Sequence, residues 1–127
     1  MRDKGGTLAA ERHAEVRRGA RAEFDQWAHG YDRSRLNELV FFPTIRAVQQ
    51  EVILHQRERR GKPLRLLDVG CGTARLITLL ALRDDAELLV GLDYSPVMIE
   101  KATARIAESP RRERLSAVVG DAERLPF

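Results

Sequence analysis

Leu66-Leu67-Asp68-Val69-Gly70-Cys71-Gly72-Thr73-Ala74-Arg75 reads as a strand that runs into a glycine turn and then a helix. With Leu64, the residues Leu66, Leu67 and Val69 make the short apolar run of a parallel strand covered on both faces. Gly70 and Gly72, one residue apart, let the chain reverse and bring bare backbone against a ligand. Thr73 is placed to cap the helix that follows, expected over about 73–83, with Leu76, Ile77, Leu79 and Leu80 toward the sheet. Asp84-Asp85-Ala86 then turns the chain into a second apolar run, Leu88-Leu89-Val90, ending in Gly91-Leu92-Asp93. Ser95-Pro96 starts another helix, with Ile99, Ala102 and Ile106 as its buried stripe. Ser109-Pro110 ends it, and Leu115 to Val119 is a third strand. Strand, helix, strand, helix, strand is the pattern of an α/β fold with a parallel sheet and right-handed crossovers.

Before Leu64 the pattern is helical. Met1 to about Gly6 carries no periodicity and is expected to be a tail. Phe24, Trp27, Ala28 and Tyr31 fall at i, i+3, i+4 and i+7, an aromatic stripe that suits either core packing or a flap over a ligand. Pro43 suits a helix start. Ile45, Val48 and Val52 then recur at helical spacing, Gln49, Gln50 and Glu51 fill the wet side, and Gly61 with Pro63 supplies the stop. The expected division is therefore a helical segment, 1–63, followed by an α/β unit, 64–127.

The 127 residues, 43% of them hydrophobic, suffice for one small domain. The net charge of +3 is modest. The basic clusters at Arg17-Arg18-Gly19-Ala20-Arg21, Arg57 to Arg60 and Arg111 to Arg114 have acidic residues close by, so they read as solvated helix ends and not as a nucleic-acid surface. The single cysteine, Cys71, excludes an internal disulfide and has no second Cys at metal-ligand spacing, which fits a reducing cytoplasm and no bound metal. No run reaches the ~18 apolar residues of a membrane span.

Ligands in open α/β sheets lie outside the carboxyl ends of the strands, so Asp68 with the glycine turn, Asp93 and Asp121 should converge on one crevice. Asp93 comes 21 residues after Gly72. At that separation a carboxylate closing the second strand can accept hydrogen bonds from a ribose. A pyrophosphate-binding turn wants glycine at the third position of G-x-G-x-x-G, where this chain has Arg75. Three carboxylates would also repel a pyrophosphate, whereas they match a cationic cofactor in sign.

Leu67-Asp68-Val69-Gly70-Cys71-Gly72-Thr73 resembles motif I of the class I S-adenosylmethionine-dependent methyltransferases. Gly91 to Ile99 is similar to the next motif of that family, and Val119 to Phe127 to the one after it. More weakly, Phe24 to Ala28 with Tyr31-Asp32 resembles the N-terminal segment of the ubiquinone and menaquinone biosynthesis type, with its type 11 methyltransferase domain. The resemblance implies the N-terminal half of a Rossmann-like doubly wound sheet, with parallel strands in order 3-2-1 after N-terminal helices. It implies S-adenosyl-L-methionine as cofactor and a small-molecule methyl acceptor. Gly70, Cys71 and Gly72 would then lie along the methionine part, Asp68 near its ammonium, and Asp93 on the ribose. Tyr94 and Met98 would flank the adenine, Asp121 would accept from its amine, the Ala122 N–H would meet a ring nitrogen, and Tyr31 would belong to a flap. Ala74 stands where the family often has a third glycine; a methyl there is expected to be tolerated but to tighten the pocket.

In that family the strand beyond strand one comes from later sequence, so the chain is expected to be an N-terminal part, inactive alone, with strand one as an open edge prone to self-association. Two other readings stay open: a binding module completed by a partner chain, and a fragment of a nicotinamide-dependent oxidoreductase.

Overall fold

The structure, a computed structural model, describes residues 4–28, 30, 39 and 41–127, without the side chains of 4–7, 24, 27 and 28. Tyr31 and the side chains of Phe24, Trp27 and Ala28 thus lie outside what is described. The elements are α1 (Lys4–Ala28), α2 (Phe42–Glu58), β1 (Leu64–Val69), α3 (Arg75–Leu80), β2 (Ala86–Asp93), α4 (Pro96–Glu108), a 3-10 turn (Arg112–Arg114) and β3 (Leu115–Val119). Helix α1 begins inside the stretch expected to be a tail.

The three strands are parallel in the order β1-β2-β3. Val69 lies opposite Leu92, and Asp93 opposite Val119, so the three strand ends share one edge. Both crossovers step in the same direction across the sheet. With one handedness they place α3 and α4 on the same face. Leu64, Ile77, Leu80, Leu89, Ala102 and Leu115 form the core between that face and the helices. α2 packs beside α3, and α1 beside α4.

This arrangement corrects the expectation of a strand covered on both faces. In β1, Leu64 and Leu66 point into the core, while Leu67 and Val69 are 38% and 48% exposed. A one-sided helix layer buries alternate residues only. Among the described residues nothing pairs with the outer edge of β1.

In α2 the inward line is Ile45, Gln49, Val52 and Gln56, with Val48 exposed. The stripe is thus rotated from the one expected. Gln56 is buried because its amide is used: Nε2 donates to the Lys62 carbonyl at 3.0 Å and to Asp85 Oδ2 at 3.1 Å. Arg83 donates to both oxygens of Asp85, at 2.8 and 2.7 Å. The Arg83 hydrogen bond, with that of Gln56, holds the Asp85 carboxyl below the usual range. These contacts fix the turn that starts β2 against the end of α2. Helix α4 matches its sequence signals: the Ser95 hydroxyl accepts from the Met98 N–H, Pro96 opens the helix, and Ile99 and Ala102 are buried.

Candidate functional site

The turn between β1 and α3 is built from left-handed backbone. Gly70, Gly72 and Ala74 have φ of +80°, +53° and +63°. For alanine that conformation costs about 1 kcal/mol. Ala74, and not Thr73, is the N-cap of α3, with no side-chain cap, and the helix is only six residues long. Ala74 is fully buried in the core, so its methyl is accommodated, as expected, but packs under the turn and lines neither cavity instead of tightening the pocket.

The amides of the turn are held by β2. The N–H groups of Gly70 and Cys71 donate to the Leu92 carbonyl at 2.7 and 3.0 Å. Gly72 N–H donates to Asp93 Oδ2 at 2.9 Å, and the other oxygen of Asp93 accepts from Ser95 N–H at 2.9 Å. Asp93 therefore joins the glycine turn to the start of α4. Arg105 adds a third tie, donating from Nε to the Thr73 carbonyl at 2.9 Å.

Among the cavities at this edge of the sheet, two adjoin across the glycine turn. The larger of these two, about 520 Å³, is lined by Gly70, Gly72, Asp93, Tyr94, Met98, Asp121 and Ala122, with Arg17, Ala20 and Arg21 contributed by α1. The smaller, about 240 Å³, is lined by Asp68, Cys71, Thr73 and Arg75 on one side and by Phe41, Phe42 and Thr44 on the other. Gly70 and Phe41 line both, so the cavities adjoin across the turn. The guanidinium of Arg75 lies 4.8 Å from the centre of the Phe42 ring. Every residue singled out from the sequence lines one of the two cavities except Tyr31, which lies outside the described residues.

The electrostatics separate the carboxylates. Burial, and then the neighbouring charge of Asp93, pushes the Asp68 carboxyl above its ordinary value. The same burial, with Asp93 and Asp68, pushes the Cys71 thiol up to about 12, so at neutral pH it is a protonated small side chain and not a nucleophile. Asp121 is shifted the other way, below the usual range, first by the Glu123 N–H and then by the Arg17 guanidinium. Asp121 Oδ1 accepts from Glu123 N–H at 3.0 Å, and Arg17 pairs with Asp121 Oδ2 and with Glu123 Oε2, the latter at 2.9 Å.

Sequence reasoning did not assign Arg17, Arg21, Asp25, Gly91 or Gly120 to the site. The guanidinium carbons of Arg17 and Arg21 lie 5.8 and 4.9 Å from the centre of the Tyr94 ring. Asp25 accepts a hydrogen bond from the Ser95 hydroxyl. A Cβ on Gly91 would meet Cys71 Sγ at 2.6 Å, and one on Gly120 would meet Leu92 Cδ1 at 2.7 Å. The i, i+4 spacing of Arg17 and Arg21 was a legible signal, but nothing local says which surface that helix face meets.

Residues 66–127 match the family model of the methyltransferase domain. The chain is 31% identical over 105 residues to a demethylmenaquinone methyltransferase of Desulfitobacterium hafniense, covering 82% of this chain and 40% of that protein. It is 33% identical over 99 residues to the mitochondrial citrate synthase-lysine N-methyltransferase of Homo sapiens, covering 77% of this chain and 35% of that one. A solved structure from Methanococcus maripaludis, assigned to the S-adenosyl-L-methionine-dependent methyltransferases, superposes with a TM-score of 0.62 at 25% identity, covering 81% of this chain and 44% of its own. The chain thus spans less than half the length of each of these proteins. The glycine turn, the parallel sheet in that strand order and these matches together support likeness to the class I S-adenosylmethionine-dependent methyltransferases over residues 66–127.

Proposed function

We propose that the two adjoining cavities hold S-adenosyl-L-methionine and that the protein transfers its methyl group to a small-molecule acceptor. The observation that carries this is the Asp68 carboxyl, half-buried on the wall of the smaller cavity under the charge of Asp93, with the larger cavity adjoining across Gly70. A cationic ligand relieves that burden, and an anionic one worsens it. Fit to the chain's own residues is good. The larger cavity takes the nucleoside, with Asp93 accepting from the ribose through its remaining lone pairs, Tyr94 and Met98 flanking the base, Asp121 accepting from the base amine, and the Ala122 N–H on a ring nitrogen. The glycine turn and Asp68 take the amino-acid end in the smaller cavity.

The cofactor supplies a methyl group on a positively charged leaving group. The chain's task is to hold it in line with the acceptor, and alignment of that kind is worth about 7–11 kcal/mol of barrier in favourable cases. Phe41, lining both cavities, sits where the two halves of such a ligand would meet. A small acceptor is supported by the relative from Desulfitobacterium hafniense, whose name gives demethylmenaquinone as its substrate. The lysine methyltransferase among the relatives marks a protein acceptor as the competing outcome. The reading places the protein in the cytoplasm.

Parallel titrations with S-adenosylhomocysteine and with NAD, followed by NMR, test the cofactor. Shifts at Gly70, Gly72, Asp93 and Ala122 with the first alone support it; tighter binding of NAD refutes it. The open edge of β1 is proposed to pair with another strand, so residues 1–127 alone should associate with rising concentration and should not turn over. A monodisperse monomer that transfers labelled methyl groups would overturn that part.

A further inference from the structure

Arg17 stands where the proposed function needs a ligand. Its guanidinium is bonded to Asp121 and Glu123 and lies against the ring of Tyr94, with Arg21 one turn further along α1 on the same ring. Both oxygens of Asp121 are thereby engaged, one by Arg17 and one by the Glu123 N–H. Helix α1 is anchored a second time by Asp25 on the Ser95 hydroxyl, and between the two anchors Ala20 lines the same cavity. A guanidinium is a flat, delocalised group with N–H donors along its edge and a face that stacks on aromatics. An aminopurine is likewise flat, stacks on aromatics and offers an exocyclic N–H donor on its amidine edge.

We infer that Arg17 is an internal competitor for the base of the cofactor: it fills the hydrogen-bond acceptor of Asp121 and, together with the nearer Arg21, covers the Tyr94 ring until the purine displaces it. The inference rests on the cofactor reading given above and adds to it a cost of entry and a moving part. Arg17 and its two partners are all partly exposed, so the contact is weak enough to be displaced. Entry of the base then frees Arg17 and loosens α1 near its middle, while the Asp25 anchor is untouched.

The test is an NMR titration of the 127-residue protein with S-adenosylhomocysteine, comparing wild type with Arg17→Gln and with Glu123→Gln, which removes the charge of one partner of Arg17 without altering α1. Arg17→Gln should bind about three- to tenfold more tightly, and Glu123→Gln should move the same way by less. Because salt screens exposed ion pairs, the gap between wild type and Arg17→Gln should narrow at high ionic strength. Amides around Arg17 should exchange faster, not slower, when the ligand is added. Unchanged or weaker binding by Arg17→Gln, or slower exchange, overturns the competitor and leaves the cofactor reading standing. Absence of binding by wild type and both variants removes both.

Discussion

Replacing Asp93 by asparagine separates two duties that one carboxylate performs. In the unliganded protein its two oxygens accept from Gly72 N–H and Ser95 N–H, both at 2.9 Å. Asparagine keeps one acceptor, and whichever way the amide is turned, its NH₂ faces one of those two N–H donors. One hydrogen bond to a charged group is lost, worth about 1.5–3 kcal/mol. For a chain of this size, whose total stability is of order 5–10 kcal/mol, that is a large fraction. With an m-value of about 1–3 kcal/mol/M the urea midpoint should fall by ~1 M at unchanged m. Asp93→Ala, which loses both bonds, should fall further. Far-UV circular dichroism in urea measures the stability, and titration with S-adenosylhomocysteine measures affinity, expected about tenfold or more weaker in Asp93→Asn. An affinity loss with no change of midpoint in either variant would refute the claim that Asp93 holds the turn. It would also return the residue to the purely ligand-binding role read from its spacing.

Gly91→Ala should cost about 1–3 kcal/mol, because its methyl would sit 2.6 Å from Cys71 Sγ and 2.9 Å from Cys71 Cβ, and adding Cys71→Gly should restore most of that; wild-type melting of the single variant would contradict it. Asp68 has a folded pKa above its unfolded value, so its share of stability is present at low pH and is lost as pH rises through the folded pKa. Asp68→Asn should therefore melt higher than wild type at pH 7 yet bind the cationic cofactor more weakly. A melting gain that persists at pH 3, below the ordinary range of an Asp, would point to another cause. The Cys71 thiol, buried and pushed up to about 12, should react with iodoacetamide at pH 8 only after unfolding; prompt labelling of the native protein would show the turn to be open.

The sheet was legible because its signals are local. The boundaries of β1 coincide with Leu64 and Val69, and Ser95-Pro96 announces α4 by the cap and first-turn proline it supplies. The tips Asp68, Asp93 and Asp121 followed from topology, since parallel strands must end on one edge. What was misread depends on neighbours. Leu67 and Val69 look like core residues, but their exposure is decided by which face the helices occupy. Gln49 reads as a wet-side residue but faces inward, and Gln56, to which the pattern assigns no side, is buried where Lys62 and Asp85 come within reach of its amide. Ala74 in a left-handed conformation has no sequence signature beyond the missing glycine. Arg17 contacts Asp121 across more than a hundred residues of chain, a distance at which spacing says nothing.

The glycine turn carries its own consequence for the order of events in folding. Its three successive amides, Gly70, Cys71 and Gly72, donate to Leu92 and Asp93 and not to anything within the turn. A nascent chain that has emerged only as far as α3 therefore has the turn's sequence but not its shape. The ligand loop becomes organised when β2 docks, some twenty residues later, and in the same step Asp93 engages the start of α4. Loop and helix start are thus acquired together, and a peptide covering only β1, the turn and α3 should show no ordered loop, however faithful its sequence.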